Sequence, residues 1–287
     1  MNRIDHIFVN LQERGYVIDS FRRLNGGINS SVFQLNNYAN EKYVLKVYPL
    51  PASTFNQNRC LTEQNFLRYA SICNIDRVPL LHVSDPQKGW SLMSWIEGER
   101  PVALESSDFK EITSFIDAIN CASFYKERAV LNPASEAIQS SACLLNSISK
   151  RIQAFKSVVP KTKICSEAVA WIAHTIEPHF YVLSSRFEGI QSGRSHWKNL
   201  VSQAIASPSD VGIHNLIRSK EGLYFFDFEY AGLDDLSKLT ADWILQPEYR
   251  LNAQQRNLLV DSLLKAMAKN LCDSWVDRLN DILPLIN

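Results

Sequence analysis

Asp210, Asn215 and Asp227 fall within one short stretch, SPSDVGIHNLIRSKEGLYFFDFEY at positions 207–230. Four residues separate Asp210 from Asn215, in a loop opened by Ser-Pro-Ser. Leu216, Ile217 and Arg218, the Lys220-Glu221-Gly222 turn and an aromatic run at 223–226 then lead to Asp227. Glu-Gly between two apolar runs is a turn signal, so the stretch predicts a short β-hairpin. Its arms would bring Asn215 and Asp227 together, with Asp210 just before the first arm. Two carboxylates and an amide at one rim are hard oxygen donors. They suit Mg²⁺ carried by a nucleotide, with one carboxylate left to meet a substrate hydroxyl. A surface hairpin with a polar rim would carry the same residues.

Chemistry of that kind needs elements that hold phosphates, and the first hundred residues offer them. Residues 21–35, FRRLNGGINSSVFQL, read as strand, Gly-Gly turn and strand, and 43–48, YVLKVY, as a third strand rich in β-formers. In the turn, Gly26 and Gly27 with Asn29 and Ser30 can present bare backbone N–H groups to phosphate oxygens, although many Gly-Gly turns do no more than turn. Lys46 lies among apolar neighbours, where its charge is costly unless it is paired or reaches solvent. Residues 58–73 predict a helix with Leu61, Phe66, Leu67 and Ala70 as its apolar stripe. Glu63 sits beside that stripe, able to point at Lys46 or to be a solvated edge residue. Residues 78–83 and 90–96 read as two more strands around an Asp-Pro turn, ending at Glu97-Gly98-Glu99. Before all of these, residues 1–20 read as a short helix closed by Gly15.

From residue 107 the period changes to that of a helix. Phe109, Ile112, Ile116 and Ile119 share one face, with Ser107 or Asp108 placed to cap. Ile138, Leu145, Ile148, Ile152 and Phe155 make a second stripe and 168–183 a third; helices are also expected at 236–245, 253–271 and 273–283. Trp171, His174, His179, His196 and Trp197 lack metal-ligand spacing and read as core or interface residues. The expected class is therefore α+β, a small antiparallel sheet lobe at 1–98 followed by a mostly helical lobe at 99–287.

Composition narrows the setting. Lys plus Arg and Asp plus Glu both number 30, so nothing favours nucleic acid or an anionic membrane as a partner. No apolar run approaches the roughly 18 residues of a membrane span, and the charged start MNRIDHIFVN is unlike a signal peptide. Six scattered cysteines without a Cys-x-x-Cys pair suit free thiols in a reducing cytosol. A cytoplasmic protein is expected, and the composition does not speak to its oligomeric state.

The order of these pieces carries more than any one of them. A phosphate turn, a strand lysine, a helix glutamate, a Glu-Gly linker, helices, Asp-x₄-Asn and a hairpin to Asp together resemble the protein-kinase-like fold. The resemblance is closest to the aminoglycoside phosphotransferase and choline kinase branch, over about residues 24–245. It implies a two-lobe fold that uses ATP and Mg²⁺. Gly26, Gly27, Asn29 and Ser30 would then cover the phosphates, Lys46 would hold the α/β-phosphates with Glu63 orienting it, and Met93 and Trp95 would lie in the hinge beside adenine. Asp210 would accept the hydroxyl hydrogen of a small-molecule acceptor, Asn215 and Asp227 would bind metal, and Asp242 would support the catalytic loop. Asp235 reads instead as the cap of the helix that follows.

The chain departs from that pattern in three places. Pro208-Ser209 stands where the family has His-Gly, so the loop-bracing histidine is missing and Pro208 is the residue that could stiffen the loop. Phe228-Glu229 follows the metal aspartate, and Glu229 could reach a metal or a neighbouring backbone. His214 precedes Asn215 and suits packing or substrate contact. The leading expectation is a small-molecule kinase, with a nucleotide-binding pseudoenzyme acting as an interaction module as the alternative. The Ser-Pro-Ser-Asp loop is similar to that of phosphotransferase-type proteins from bacterial surface-polysaccharide regions. With no obviously acidic segment at 106–203, this favours a sugar, polyol or amino alcohol over an aminoglycoside.

Overall fold

The YVLKVY run forms β3 (Lys42–Val47), the central strand of a five-stranded antiparallel sheet. The structure is a computed structural model that describes residues 3–24, 30–50, 58–191, 197, 200–267 and 274–286. β1 (Ile18–Arg23), β2 (Ser31–Asn37), β5 (Trp90–Ser94) and β4 (Leu81–Asp85) complete the sheet in the order β1-β2-β3-β5-β4. β4 begins later than the expected residue 78, because Pro79 has no N–H to give to a ladder. Side chains alternate across a strand. Leu45 and Val47 join Phe33, Leu35, Trp90 and Leu92 on one face, where Ile7 and Leu11 of α1 (Arg3–Glu13) close an apolar core. Lys46 faces the other way, toward α2 (Arg59–Ile72).

Asn58 caps α2 by accepting from Leu61 N at 3.1 Å. Cys60, Glu63, Phe66, Leu67 and Ala70 are buried along the helix, whereas Leu61, expected in the stripe, is exposed. Positions 60, 63, 67 and 70 define the inward face, and 61 lies about 100° round from 60.

Contacts gather the chain into two compact units, one of residues 1–135 with 208–232, the other of 136–207 with 233–287. In the first unit α3 (Ser106–Ala118) holds the predicted hairpin, formed by two later strands, β7 (Leu216–Ser219) and β8 (Gly222–Phe225). Phe115 stacks on Phe225 at 4.0 Å, and Leu223 N donates to Glu111 Oε2 at 2.7 Å. Arg218 reaches Glu105 and Asp108, each at 2.7 Å. Asp108 also accepts from Glu105 N at 2.6 Å, so α3 is capped from Glu105, earlier than the sequence suggests. The linker at residue 99 pairs with Arg218 backbone to backbone at 3.1 and 2.8 Å. Gly98 has φ +153°, and a Cβ there would lie 2.5 Å from the Arg218 carbonyl oxygen, so this close approach needs glycine.

The second unit contains α4 (Ser141–Lys156), then α5 (Lys163–Trp171) running through a π turn (Ile172–Ile176) into α6 (Glu177–Gln191). β6 (Ile205–Ser207) and β9 (Gly232–Asp234) form a short pair, followed by α7 (Leu236–Ile244), α8 (Ala253–Met267) and α9 (Ser274–Ile286). Asp235 caps α7 through Ser237 N at 2.9 Å, as expected, and its other oxygen meets buried Arg278 at 2.7 Å. Trp171, His174, His179 and Phe155 are exposed rather than core; Leu144 and Ile152 supply the buried face of α4. Ile138 is buried but precedes that helix. Trp197 donates to Asp281 at 3.1 Å, and His196 lies outside the described residues. Among the described residues no helix is long and apolar enough to cross a membrane, and Cys60, Cys73, Cys121, Cys143 and Cys165 are free thiols.

Candidate active site

Lys46 is the charged residue among the buried positions of β3, and its side chain is only 6% exposed. Burial of an unpaired ammonium would cost several kcal/mol (order of magnitude), so its partners decide whether the strand is stable. Three carboxylates supply them: Glu63 Oε2 at 2.8 Å, Asp227 Oδ1 at 2.5 Å and Glu229 Oε2 at 3.3 Å. Burial by itself pulls the ammonium pKa down, but the fields of Glu63, Asp227 and Glu229 outweigh it and the pKa ends raised. Lys46 therefore stays charged.

Glu63 is the fixed partner. Its side chain is 1% exposed, and it accepts from Lys46, from Tyr48 O–H at 2.5 Å and from Phe228 N at 3.0 Å. Burial raises the Glu63 pKa, with Lys46 opposing. Tyr48 follows Lys46 by two residues and so shares its face. That period-2 relation was readable in the sequence, although Tyr48 was not among the expected site residues.

The hairpin delivers Asp227. Phe226 N donates to Asn215 O at 3.2 Å, so the two arm ends are adjacent as predicted. Asp227 then adopts φ +68°, a left-handed conformation unusual outside glycine. This turn sends Phe228 under α2, where it stacks on Phe66 at 4.4 Å, and swings the Asp227 carboxylate to Lys46. Asp227 keeps 34% of its side chain exposed.

The loop before the hairpin is shaped by Ser209 at φ +64° and by Asp210 N donating to Pro208 O at 2.9 Å. Asn215 Nδ2 donates to Asp210 O at 2.9 Å, fixing both residues in one turn. The Asp210 carboxylate is 41% exposed, with His214 Nε2 at 3.5 Å. A hydrogen bond from His214 holds the Asp210 pKa below its usual value, with burial opposing. His214 thus touches the expected catalytic aspartate, a contact that its place in the sequence left open.

A cavity of about 350 Å³ opens beside this cluster. Val32, Val44, Met93, Trp95, Ile217 and Phe226 line it with apolar surface, and its charged lining residues are Lys46, Glu63, Arg100 and Asp227. The expected hinge residues Met93 and Trp95 therefore share a cavity with Lys46. A larger groove of about 770 Å³, lined by α2 and β4 residues, contains none of the charged cluster.

Of the other expected residues, Ser30 is buried and donates to Glu229 Oε2 at 3.0 Å. Gly26, Gly27 and Asn29 lie outside the described residues. Asp242 belongs to the second unit, where both its oxygens go to Lys238 Nζ at 2.6 and 2.5 Å. Besides Tyr48, two further participants were not among the expected site residues. Arg59, on α2, reaches Glu229 Oε1 at 3.2 Å and lies over the Tyr230 ring at 4.9 Å, and nothing in its local sequence marks it. Glu229 was read as able to reach a metal or a neighbouring backbone, and it meets Lys46, Arg59 and Ser30 instead.

The fold is shared with solved small-molecule phosphotransferases of the protein-kinase-like class. A macrolide 2′-phosphotransferase from Brachybacterium faecium matches with TM-score 0.63 at 11% identity, over 97% of this chain and 88% of that one. An ADP-bound aminoglycoside phosphotransferase matches with TM-score 0.61 at 14% identity, over 97% and 90%. Choline kinase from Cryptosporidium parvum matches with TM-score 0.59 at 12% identity, over 98% and 86%. No protein-family model matches the sequence, and no curated protein does.

Proposed function

We propose that this chain is an ATP-dependent phosphotransferase that moves a γ-phosphoryl group to a hydroxyl of a small molecule. The observation that carries the proposal is Lys46 held between Glu63 at 2.8 Å and Asp227 at 2.5 Å on the wall of a mainly apolar cavity. Such a cavity suits a purine ring, and Lys46 would meet its phosphates as a point charge. On this reading residues 1–98 form the nucleotide lobe and residues 99–287 the catalytic and acceptor lobe. Gly26, Gly27, Asn29 and Ser30 would cover the phosphates.

The side chains fit a nucleotide-borne Mg²⁺. Lys46 and Arg59 stand against Glu63, Asp227, Glu229 and Asp210, so the cluster is short of positive charge. Asp227 keeps an exposed carboxylate, and the Asn215 amide is oriented by its bond to Asp210 O. Among the described residues no group of three or more His, Cys, Asp or Glu side chains could hold a metal ion by itself. Mg²⁺ on phosphates needs only one or two protein ligands, and Asp227 and Asn215 would be those. When bound, the ion would neutralise charge on the transferring phosphoryl group.

Asp210 is ionised at neutral pH like any ordinary Asp carboxylate, and the hydrogen bond from His214 lowers its pKa further. It is a weak base, so its work is to orient the acceptor hydroxyl and take the proton late, as phosphoryl transfer demands mainly positioning. Asp242 is assigned to loop support. A sugar, polyol or amino alcohol is the proposed acceptor, in preference to an aminoglycoside. The protein would act in the cytoplasm, independently of nucleic acid and membrane.

The test is ADP release from Mg·ATP with panels of sugars, polyols, amino alcohols and aminoglycosides, together with a metabolite extract screened for ATP-dependent mass gain. Turnover above background that depends on Asp210 supports the proposal. Nucleotide binding without turnover on any acceptor would favour the second reading, a binding module, which the Pro208-Ser209 replacement motivates.

A further inference from the structure

Glu229 is spent in a way that sets it apart from Asp227. Its side chain is 4% exposed, and both its oxygens are engaged: Oε1 by Arg59 at 3.2 Å, Oε2 by Ser30 Oγ at 3.0 Å and Lys46 Nζ at 3.3 Å. Its partners come from three separate segments. Ser30 stands just before β2, Lys46 on β3 and Arg59 in the first turn of α2. Asp227, two residues earlier, gives one oxygen to Lys46 and keeps 34% of its side chain exposed. A metal ligand needs an oxygen free to face the ion, and Asp227 offers that while Glu229 does not.

We propose that Glu229 is a positioning residue rather than a metal ligand. It ties Ser30, one of the residues assigned to the phosphates, to Lys46 and Arg59, so that these groups are assembled before nucleotide arrives. This rests on the nucleotide-binding reading above. Glu63 and Glu229 both hold Lys46, at 2.8 and 3.3 Å, and would keep the ammonium in place if Asp227 served a metal. Arg59 completes the tie, since its guanidinium is pinned between Glu229 and the Tyr230 ring at 4.9 Å. Preassembly of this kind lowers the ordering cost that a phosphate ligand would otherwise meet.

The experiment measures ADP and adenosine affinity for the full chain by calorimetry or ligand-observed NMR, each in EDTA and in MgCl₂. Glu229→Gln and Ser30→Ala are compared with wild type. Losing a charge-assisted hydrogen bond is worth on the order of tenfold in affinity or more. Both variants are therefore expected to bind ADP about tenfold more weakly, equally in EDTA and in MgCl₂, with adenosine affinity unchanged. The double variant should be no weaker than Glu229→Gln alone, because Ser30 acts through Glu229. Ser30→Ala leaves the buried charges intact and keeps the test open if Glu229→Gln folds poorly. A loss of ADP affinity confined to MgCl₂ would make Glu229 a metal ligand and overturn the proposal. Equal loss of adenosine would make the role merely structural, and ADP binding unchanged in both variants would also sink it. Wild-type protein that binds neither ADP nor adenosine would instead sink the nucleotide reading itself, and the proposal with it.

Discussion

Replacing Glu63 with Gln removes one charge from the most buried group of the site while keeping its shape. Glu63 accepts from Lys46 at 2.8 Å, Tyr48 O–H at 2.5 Å and Phe228 N at 3.0 Å. A glutamine has one oxygen to accept with, and its NH₂ group must then face a donor in a site whose side chain is 1% exposed. Removing one partner of a buried ion pair costs about 3–5 kcal/mol when the other charge is left alone. Lys46 is not left alone, since Asp227 and Glu229 remain at 2.5 and 3.3 Å. The expected destabilisation of Glu63→Gln is therefore smaller, about 2–3 kcal/mol. Urea unfolding followed by tryptophan fluorescence reads this directly. A double-mutant cycle with Lys46→Met isolates the pair, for which a coupling of at least about 1 kcal/mol is expected, the range of contacting residues in one network. The nucleotide affinity of Glu63→Gln should fall as well, because Lys46 loses its orienting partner. A destabilisation under about 0.5 kcal/mol with no coupling to Lys46 would refute the reasoning.

Asp210→Asn should lower turnover by about 10²–10⁴, the usual cost of losing a general base, with Mg·ATP affinity nearly unchanged; equal loss in kcat and in nucleotide affinity would argue against its acceptor-side role. Arg218→Ala should destabilise the hairpin by about 1.5–3 kcal/mol, since buried Asp108 loses a charge-assisted bond at 2.7 Å, and hydrogen exchange of residues 216–225 should rise relative to α1. In the second unit, burial raises the Asp234 pKa to about 7 despite nearby Lys238 and backbone bonds from Ile138 and Asp235. A raised folded-state pKa means stability fully present below the unfolded value of about 4 and lost as pH rises through about 7, at up to about 1.4 kcal/mol per pH unit. Asp234→Asn should flatten that part of the stability profile between pH 4 and 7; a profile identical to wild type would show that Asp234 does not titrate there.

Local pattern in the sequence placed several of the site residues within their own elements, although Leu61 and Phe155, read as stripe residues, turned out exposed. Alternation in YVLKVY set Lys46 opposite Leu45 and Val47, and the Glu-Gly turn placed Asn215 beside Asp227. Asn58 marked the start of α2, and the order of the polar residues pointed to the fold. These follow from periods of 2 and 3.6 and from turn chemistry, which act over a few residues. Contacts between distant segments depended on tertiary packing. The Lys46–Glu63 contact was posed as one of two options until α2 packed on the sheet. Ser30 and Glu229, 199 positions apart, and Arg59, silent in the sequence, met only through that packing. Exposure was decided the same way: Phe155 and Trp171 look like core residues by type, yet both are exposed. A periodic pattern specifies a face, but the partner of that face, and whether a buried charge is neutralised there, depend on the distances set by the packed elements.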